Sequence, residues 1–185
     1  MHRPMWTPRR WIGVAAVAVA VAVAAVLTPI AVLTATAAPA RAVTTASTPA
    51  CTTSGLVVWL NTHGSGAAGS IYYQLEFTNL SGHTCTLRGY PGVSAVNLTG
   101  HQLGSAASRS PIYPLHTVTL LNHATASVLL RTVQVSLFPV AKCHPTTSAG
   151  LRVYPPNRTT AKVVPYPFGA CARTGPIYLS VAVVR

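Results

Sequence analysis

From about residue 50 onward, apolar and polar positions alternate with a period of two. In Ile71-Tyr72-Tyr73-Gln74-Leu75-Glu76-Phe77-Thr78 the odd positions are Ile, Tyr, Leu and Phe. The even positions carry Gln, Glu and Thr, with Tyr72 the exception. Successive side chains of a strand point to opposite faces, so this pattern predicts a strand with one buried face. Asn79-Leu80-Ser81-Gly82 then predicts a turn. Thr84 to Arg88 alternates again, with Cys85 and Leu87 on one face, and Ile177 to Val184 places Ile, Leu, Val and Val at odd positions. Val133, Val135 and Leu137 repeat the pattern, and Leu56 to Leu60 is a continuous apolar run that suits a buried strand. Val93 to Leu98, Val118 to Leu121, Leu151 to Tyr154 and Ala161 to Val164 are shorter candidates. A helix competes only over Ala124 to Phe138, where β-branched residues favour strand.

These segments make about eight or nine short strands, separated by Gly, Pro, Asn and Ser. Such spacing predicts an all-β sandwich or barrel. Strong helix formers are scarce: Lys occurs twice and Glu once.

The first fifty residues follow different rules. Met1 to Arg10 is basic and is followed by an uncharged stretch from Trp11 to Ala40, mostly Ala and Val. A basic segment, an apolar segment and a small-residue site form the signature of a secretory signal peptide. Ala40-Arg41-Ala42 supplies the A-x-A site, with cleavage after Ala42. The alternative is an uncleaved membrane anchor, because Trp11 to Leu27 reaches the short edge of a spanning helix and the basic end would stay cytoplasmic. Arg9-Arg10 partly matches a twin-arginine export signal, with Pro8 in the place of the usual Ser or Thr. Val43 to Ala50 is small, polar and Pro-containing, and reads as a flexible linker. The predicted organisation is thus 1–42 signal peptide or anchor, 43–50 linker, and 51–185 a β-sandwich domain. Both N-terminal readings put that domain outside the cytoplasm.

Cys51, Cys85, Cys143 and Cys171 are an even set in an exported chain, which predicts two disulfides in an oxidising compartment. Four cysteines allow three connectivities, and the sequence-local one, Cys51–Cys85 with Cys143–Cys171, is favoured. Close C-x₂-C pairs of the kind that hold structural zinc are missing. Adjacent Cys143 and His144 make poor co-ligands for one ion. No metal or other cofactor is expected.

The charge balance narrows the chemistry further. Of 185 residues, 13 are Lys or Arg and one, Glu76, is acidic. A glycosidase needs two carboxylates, and a Ca²⁺ or Mg²⁺ site needs several hard oxygen ligands. A Ser or Cys hydrolase would have to use Glu76 to orient its His. Glu76 is expected to be solvent-exposed in mid-strand, so no catalytic residue is assigned. Histidines 63, 83, 101, 116, 123 and 144 fall near predicted turns and read as polar surface. Asn79, Asn97 and Asn157 begin glycosylation sequons. After Ala42 nine bases remain, at 88, 109, 131, 142, 152, 158, 162, 173 and 185, against one acid, a balance of +8. A field of that sign attracts anionic wall polymers or lipid headgroups. Nucleic acid is a poor partner, since no basic run with interleaved aromatics appears.

Gly69 to Asn79, the block Cys85-Thr86-Leu87-Arg88-Gly89-Tyr90-Pro91-Gly92-Val93, and Leu151-Arg152-Val153-Tyr154-Pro155-Pro156 resemble the DUF4232 family of actinobacterial secreted and lipid-anchored proteins, a domain of unknown function. The resemblance covers roughly Cys51 to Val184. It implies an extracytoplasmic, Ig-like antiparallel β-sandwich of about eight strands with two disulfides, and it brings no activity and no catalytic residues. Many relatives carry a lipid-attachment cysteine, whereas Thr48-Pro49-Ala50-Cys51 lacks that motif. The expectation is therefore an exported, non-enzymatic sandwich that associates with anionic envelope components. The alternatives are a membrane-tethered accessory subunit of an envelope complex, or a Cys/Ser hydrolase.

Overall fold

The computed structural model describes residues 47–185; the candidate cleavage site at Ala42 and the apolar stretch before it lie outside them. Eleven strands follow in order: β1 (Leu56–Ala67), β2 (Ser70–Asn79), β3 (Cys85–Arg88), β4 (Gly92–Val96), β5 (Gln102–Leu103), β6 (Ser108–Arg109), β7 (Thr117–Leu120), β8 (Thr125–Val133), β9 (Pro145–Tyr154), β10 (Lys162–Cys171) and β11 (Leu179–Val181). One sheet has the order β1-β2-β8-β11-β6 and a second has β10-β9-β4-β5, while β3 and β7 form a separate pair. Strand pairing is antiparallel except where β6 runs parallel to β11. The fold is an Ig-like β-sandwich.

The period of two decides which residues meet between the sheets. On β2, Tyr73, Leu75 and Phe77 share a face, opposite Leu130, Val128 and Ala126 of β8. Leu151 and Val153 of β9 and Val93 and Ala95 of β4 close the core from the other sheet. Leu75, Phe77, Val128, Leu130, Leu151 and Val153 have no exposed surface. Each contributes roughly 1.5–3 kcal/mol by leaving water.

Several expectations need correction. Beyond the eight or nine expected strands the chain forms β5 and β6, which have two residues each and are too short to show a period. Leu56 to Leu60 is not a strand buried on both faces. It belongs to the edge strand β1, where Leu56 is buried but Val57 and Trp59 are 44% and 43% exposed. The strand through Val133 does not continue to Leu137. Its partner β2 begins at Ser70, which pairs with Val133, so no ladder exists beyond it. The chain instead folds into a 3₁₀ turn, Val135–Leu137, and then the short helix α1, Val140–Cys143. Among the described residues, no helix is long and apolar enough to cross a membrane.

Two disulfides join Cys51 to Cys85 and Cys143 to Cys171, which leaves no free cysteine. The first ties the start of the domain to β3, and the second ties α1 to the far end of β10. β10 places Lys162 and Cys171 at opposite ends of a ten-residue strand, about 30 Å apart at the usual rise. The domain therefore has a Cys51 end and a Cys143 end.

Candidate functional site

The arginines divide into two groups by what their guanidinium groups touch. Arg131 donates to the Ser70 hydroxyl at 3.0 Å, and Arg152 donates to the Gly100 carbonyl. Arg158 donates to the carbonyls of Cys51 at 2.7 Å and Ala50 at 2.8 Å, and Arg173 to that of Ala141 at 3.4 Å. These four satisfy backbone or hydroxyl oxygens and hold loops in place. Among the described residues, the guanidiniums of Arg88, Arg109 and Arg185 donate to no protein atom. Arg109 lies 5.5 Å from the ring centre of Tyr90, and Arg185 lies 4.8 Å from that of Tyr113. Stacking on an aromatic face orients a guanidinium and leaves its N–H edge available.

Arg88 and Arg109 line one pocket of about 220 Å³ with Gly89, Tyr90, Leu115 and Asn157. Four segments build it. Arg88 ends β3, where the exposed position of the alternation falls. Gly89 has φ +113, a conformation that a side chain would strain, and it turns the chain so that Tyr90 lies beside Arg109. Arg109 comes from β6, and Leu115 from the loop before β7. Asn157 sits at φ +58 in the β9–β10 loop and donates its amide to the Arg88 carbonyl at 3.0 Å. The C-terminal strand is tied to the same corner, since the Val184 amide donates to the Gly89 carbonyl at 3.0 Å. Arg158 clamps the neighbouring carbonyls of Ala50 and Cys51, so this corner belongs to the Cys51 end.

A second concavity of about 310 Å³ lies between the sheets and has a different character. Ile71, Val133, Val135 and Phe168 give it apolar walls. Tyr166 donates its hydroxyl to that of Tyr73 at 2.5 Å, with the two rings edge to face and Phe168 stacked beyond Tyr166. Burial, and secondarily the Tyr73 hydroxyl, push the Tyr166 phenol up to about 12. Its chemistry is that of a neutral contact between sheets.

Glu76 is not solvent-exposed. It is 8% exposed and accepts the Ser127 hydroxyl at 2.5 Å. On the outer face of the five-stranded sheet, Trp59, Glu76 and Ser127 occupy one row, and Ser127 exchanges two backbone hydrogen bonds with Arg185. The terminal residues thus extend the sheet on the far side of Ser127, while Trp59 and Ser127 flank Glu76, neighbours that the alternation of β2 does not reveal. With all four cysteines paired, the Cys-hydrolase alternative has no thiol to use as nucleophile. All six histidines of the domain are exposed, and among the described residues no three His, Cys, Asp or Glu side chains converge. Asn79 has no exposed surface and donates to the carbonyls of His83, Leu120 and Leu121, so its sequon is closed to modification in the folded domain.

Nothing in the sequence places Arg88 and Arg109 in one pocket. The two bases stand singly in the sequence, and only the packing of the β3–β4 loop against β6 joins them. The one local hint is Gly89-Tyr90, a turn glycine and an aromatic residue directly after an arginine. No curated protein and no solved structure matches the chain. The model of a family described as a domain of unknown function, DUF4232, matches residues 51–183. That span holds both disulfides and the Arg88–Arg109 pocket, and the chain belongs to the DUF4232 family.

Proposed function

We propose that this protein is an exported, non-enzymatic module that holds by charge to anionic components of the cell envelope. One observation carries the reading. Among the described residues, nine cationic side chains stand against a single carboxylate side chain, and that carboxylate is buried on the outer face of a sheet and bonded to a hydroxyl. The outward side-chain field therefore has one sign, which draws polyanions toward the surface. The two disulfides suit an oxidising compartment outside the cytoplasm.

Washing intact cells that express the full chain tests this. Raising salt from about 0.1 M to about 1 M shortens the screening length from roughly 10 Å to 3 Å. Protein retained at the lower concentration is expected to be released at the higher one. Retention that does not respond to salt would overturn the reading.

A further inference from the structure

We propose that the pocket between Arg88 and Arg109 binds a phosphodiester, with glycerol phosphate as the ligand class. The inference rests on the envelope reading and adds a defined site to it. Three observations lead there. First, Arg88 and Arg109 face one cavity, and among the described residues neither guanidinium donates to a protein oxygen. Two cations that share a concavity repel each other, and an anion placed between them removes that repulsion. Second, Arg109 is braced on Tyr90, and the Arg88 backbone is held by Asn157. Less freedom is therefore lost when a ligand binds. Third, the cavity of about 220 Å³ is smaller than the roughly 300–1,000 Å³ of sites that hold drug-sized molecules. It suits one phosphate group with a short carbon chain against Leu115 and the Tyr90 ring.

A carboxylate and a phosphodiester each present two charged oxygens, and each oxygen can accept from more than one donor, so both guanidiniums can bond either anion. The phosphodiester is preferred because it keeps its charge at every pH the domain meets outside a cell, including acidic conditions that protonate a carboxylate. Glycerol phosphate occurs both in soluble polymers and in lipid headgroups, and the pocket chemistry is the same for the two.

Calorimetric titration of the protein as its host releases it tests the proposal. The probes are a glycerol-phosphate oligomer, vesicles of phosphatidylglycerol diluted in phosphatidylcholine, and polygalacturonate as a carboxylate polymer. Binding of either phosphate probe is expected, and the arm that responds identifies the source. R88Q/R109Q should weaken it by roughly tenfold or more for the lost charge-assisted bonds. R88K/R109K, which keeps the charge and loses the forks, should fall in between. K142Q/R173Q removes the same charge at the Cys143 end, from residues that do not line the pocket, and should change binding by no more than about twofold. Equal losses in the two Gln variants would overturn the pocket. So would full binding by R88K/R109K, equal affinity for polygalacturonate under acidic conditions, or no binding to either phosphate probe. The envelope reading fails on a different result, namely unmodified protein whose retention on cells ignores salt.

Discussion

Ser127 donates its hydroxyl to Oε2 of Glu76 at 2.5 Å, across neighbouring strands of the five-stranded sheet. Among the described residues, the one acidic side chain of the protein is thus bonded to a hydroxyl rather than to a cation. Hydrogen bonds to charged groups contribute roughly 1.5–3 kcal/mol. Ser127→Ala is expected to lower unfolding stability by about that amount, read as a lower urea midpoint at unchanged slope. A loss below about 0.5 kcal/mol would mean that other groups solvate the carboxylate.

Asn79 closes the end of β2. Its amide serves three carbonyls at 2.8, 3.0 and 3.2 Å, and its Oδ1 accepts the Ser81 amide and hydroxyl at 3.0 and 2.7 Å. Buried carbonyls stripped of donors are costly. Asn79→Ala is expected to destabilise by roughly 2–5 kcal/mol in the same denaturation assay. Asn97, which accepts three local bonds on an exposed loop, should lose less when changed to Ala.

Ala68 and Gly69 form the two-residue turn between β1 and β2, with φ +43 and +74. A turn of this kind favours Asn or Gly at its first position, and Ala is strained there by about 1–2 kcal/mol. Ala68→Asn is expected to raise stability by roughly 0.5–1.5 kcal/mol, seen as a higher melting temperature. Gly69 should gain nothing from the same change, because a Cβ there would meet Leu137 Cδ1 at 2.4 Å and must displace that exposed side chain.

Two of the seven tyrosines, Tyr166 and Tyr178, have phenols pushed up to about 12 from 10.0, in both cases chiefly by burial. The folded state favours the neutral form, so it binds more protons than the unfolded chain between these values. Stability from these groups is complete below pH 10 and is lost as pH rises toward 12. An alkaline titration followed by phenolate absorbance should show a late phase from these two tyrosines, with unfolding accompanying it. Tyr166→Phe should remove one late tyrosine; an unchanged late phase would contradict the assignment.

The Cys51–Cys85 and Cys143–Cys171 bridges close loops of 34 and 28 positions. In the chain-entropy model each restricts the unfolded state by roughly 3–4 kcal/mol. Replacing either pair with Ser should therefore lower the melting temperature to a similar extent. A large difference between the two would show that one bridge acts through the folded state instead.

The fold was legible where a single face of a strand is buried. Alternation in β2, β3 and the inner half of β9 reflects a core on one side and water on the other. It misled at β1, because an apolar edge strand looks the same as a central one when only sequence is considered. Partner availability decides that difference, as it also decides that β8 stops at Val133. Glu76 shows the same limit: the pattern of β2 assigns it to the outer face but says nothing about Trp59 and Ser127, the cross-strand neighbours that flank it. The candidate pocket was legible only as charge. Its two guanidiniums are contributed by strands that do not pair with each other, and no local rule of periodicity links such positions.

The first bridge has a mechanical consequence. The segment ahead of Cys51 meets the domain at a parallel bridge between Ala50 and Thr86, under the Arg158 guanidinium and beside the sulfur link to Cys85. Tension arriving along that segment passes through sulfur directly into β3. The hairpin of β1 and β2 lies within the closed loop and out of the line of pull. The domain should therefore resist being unzipped from its leading edge, and under load only 86–142 and 172–185, the stretches outside both closed loops, are free to lengthen.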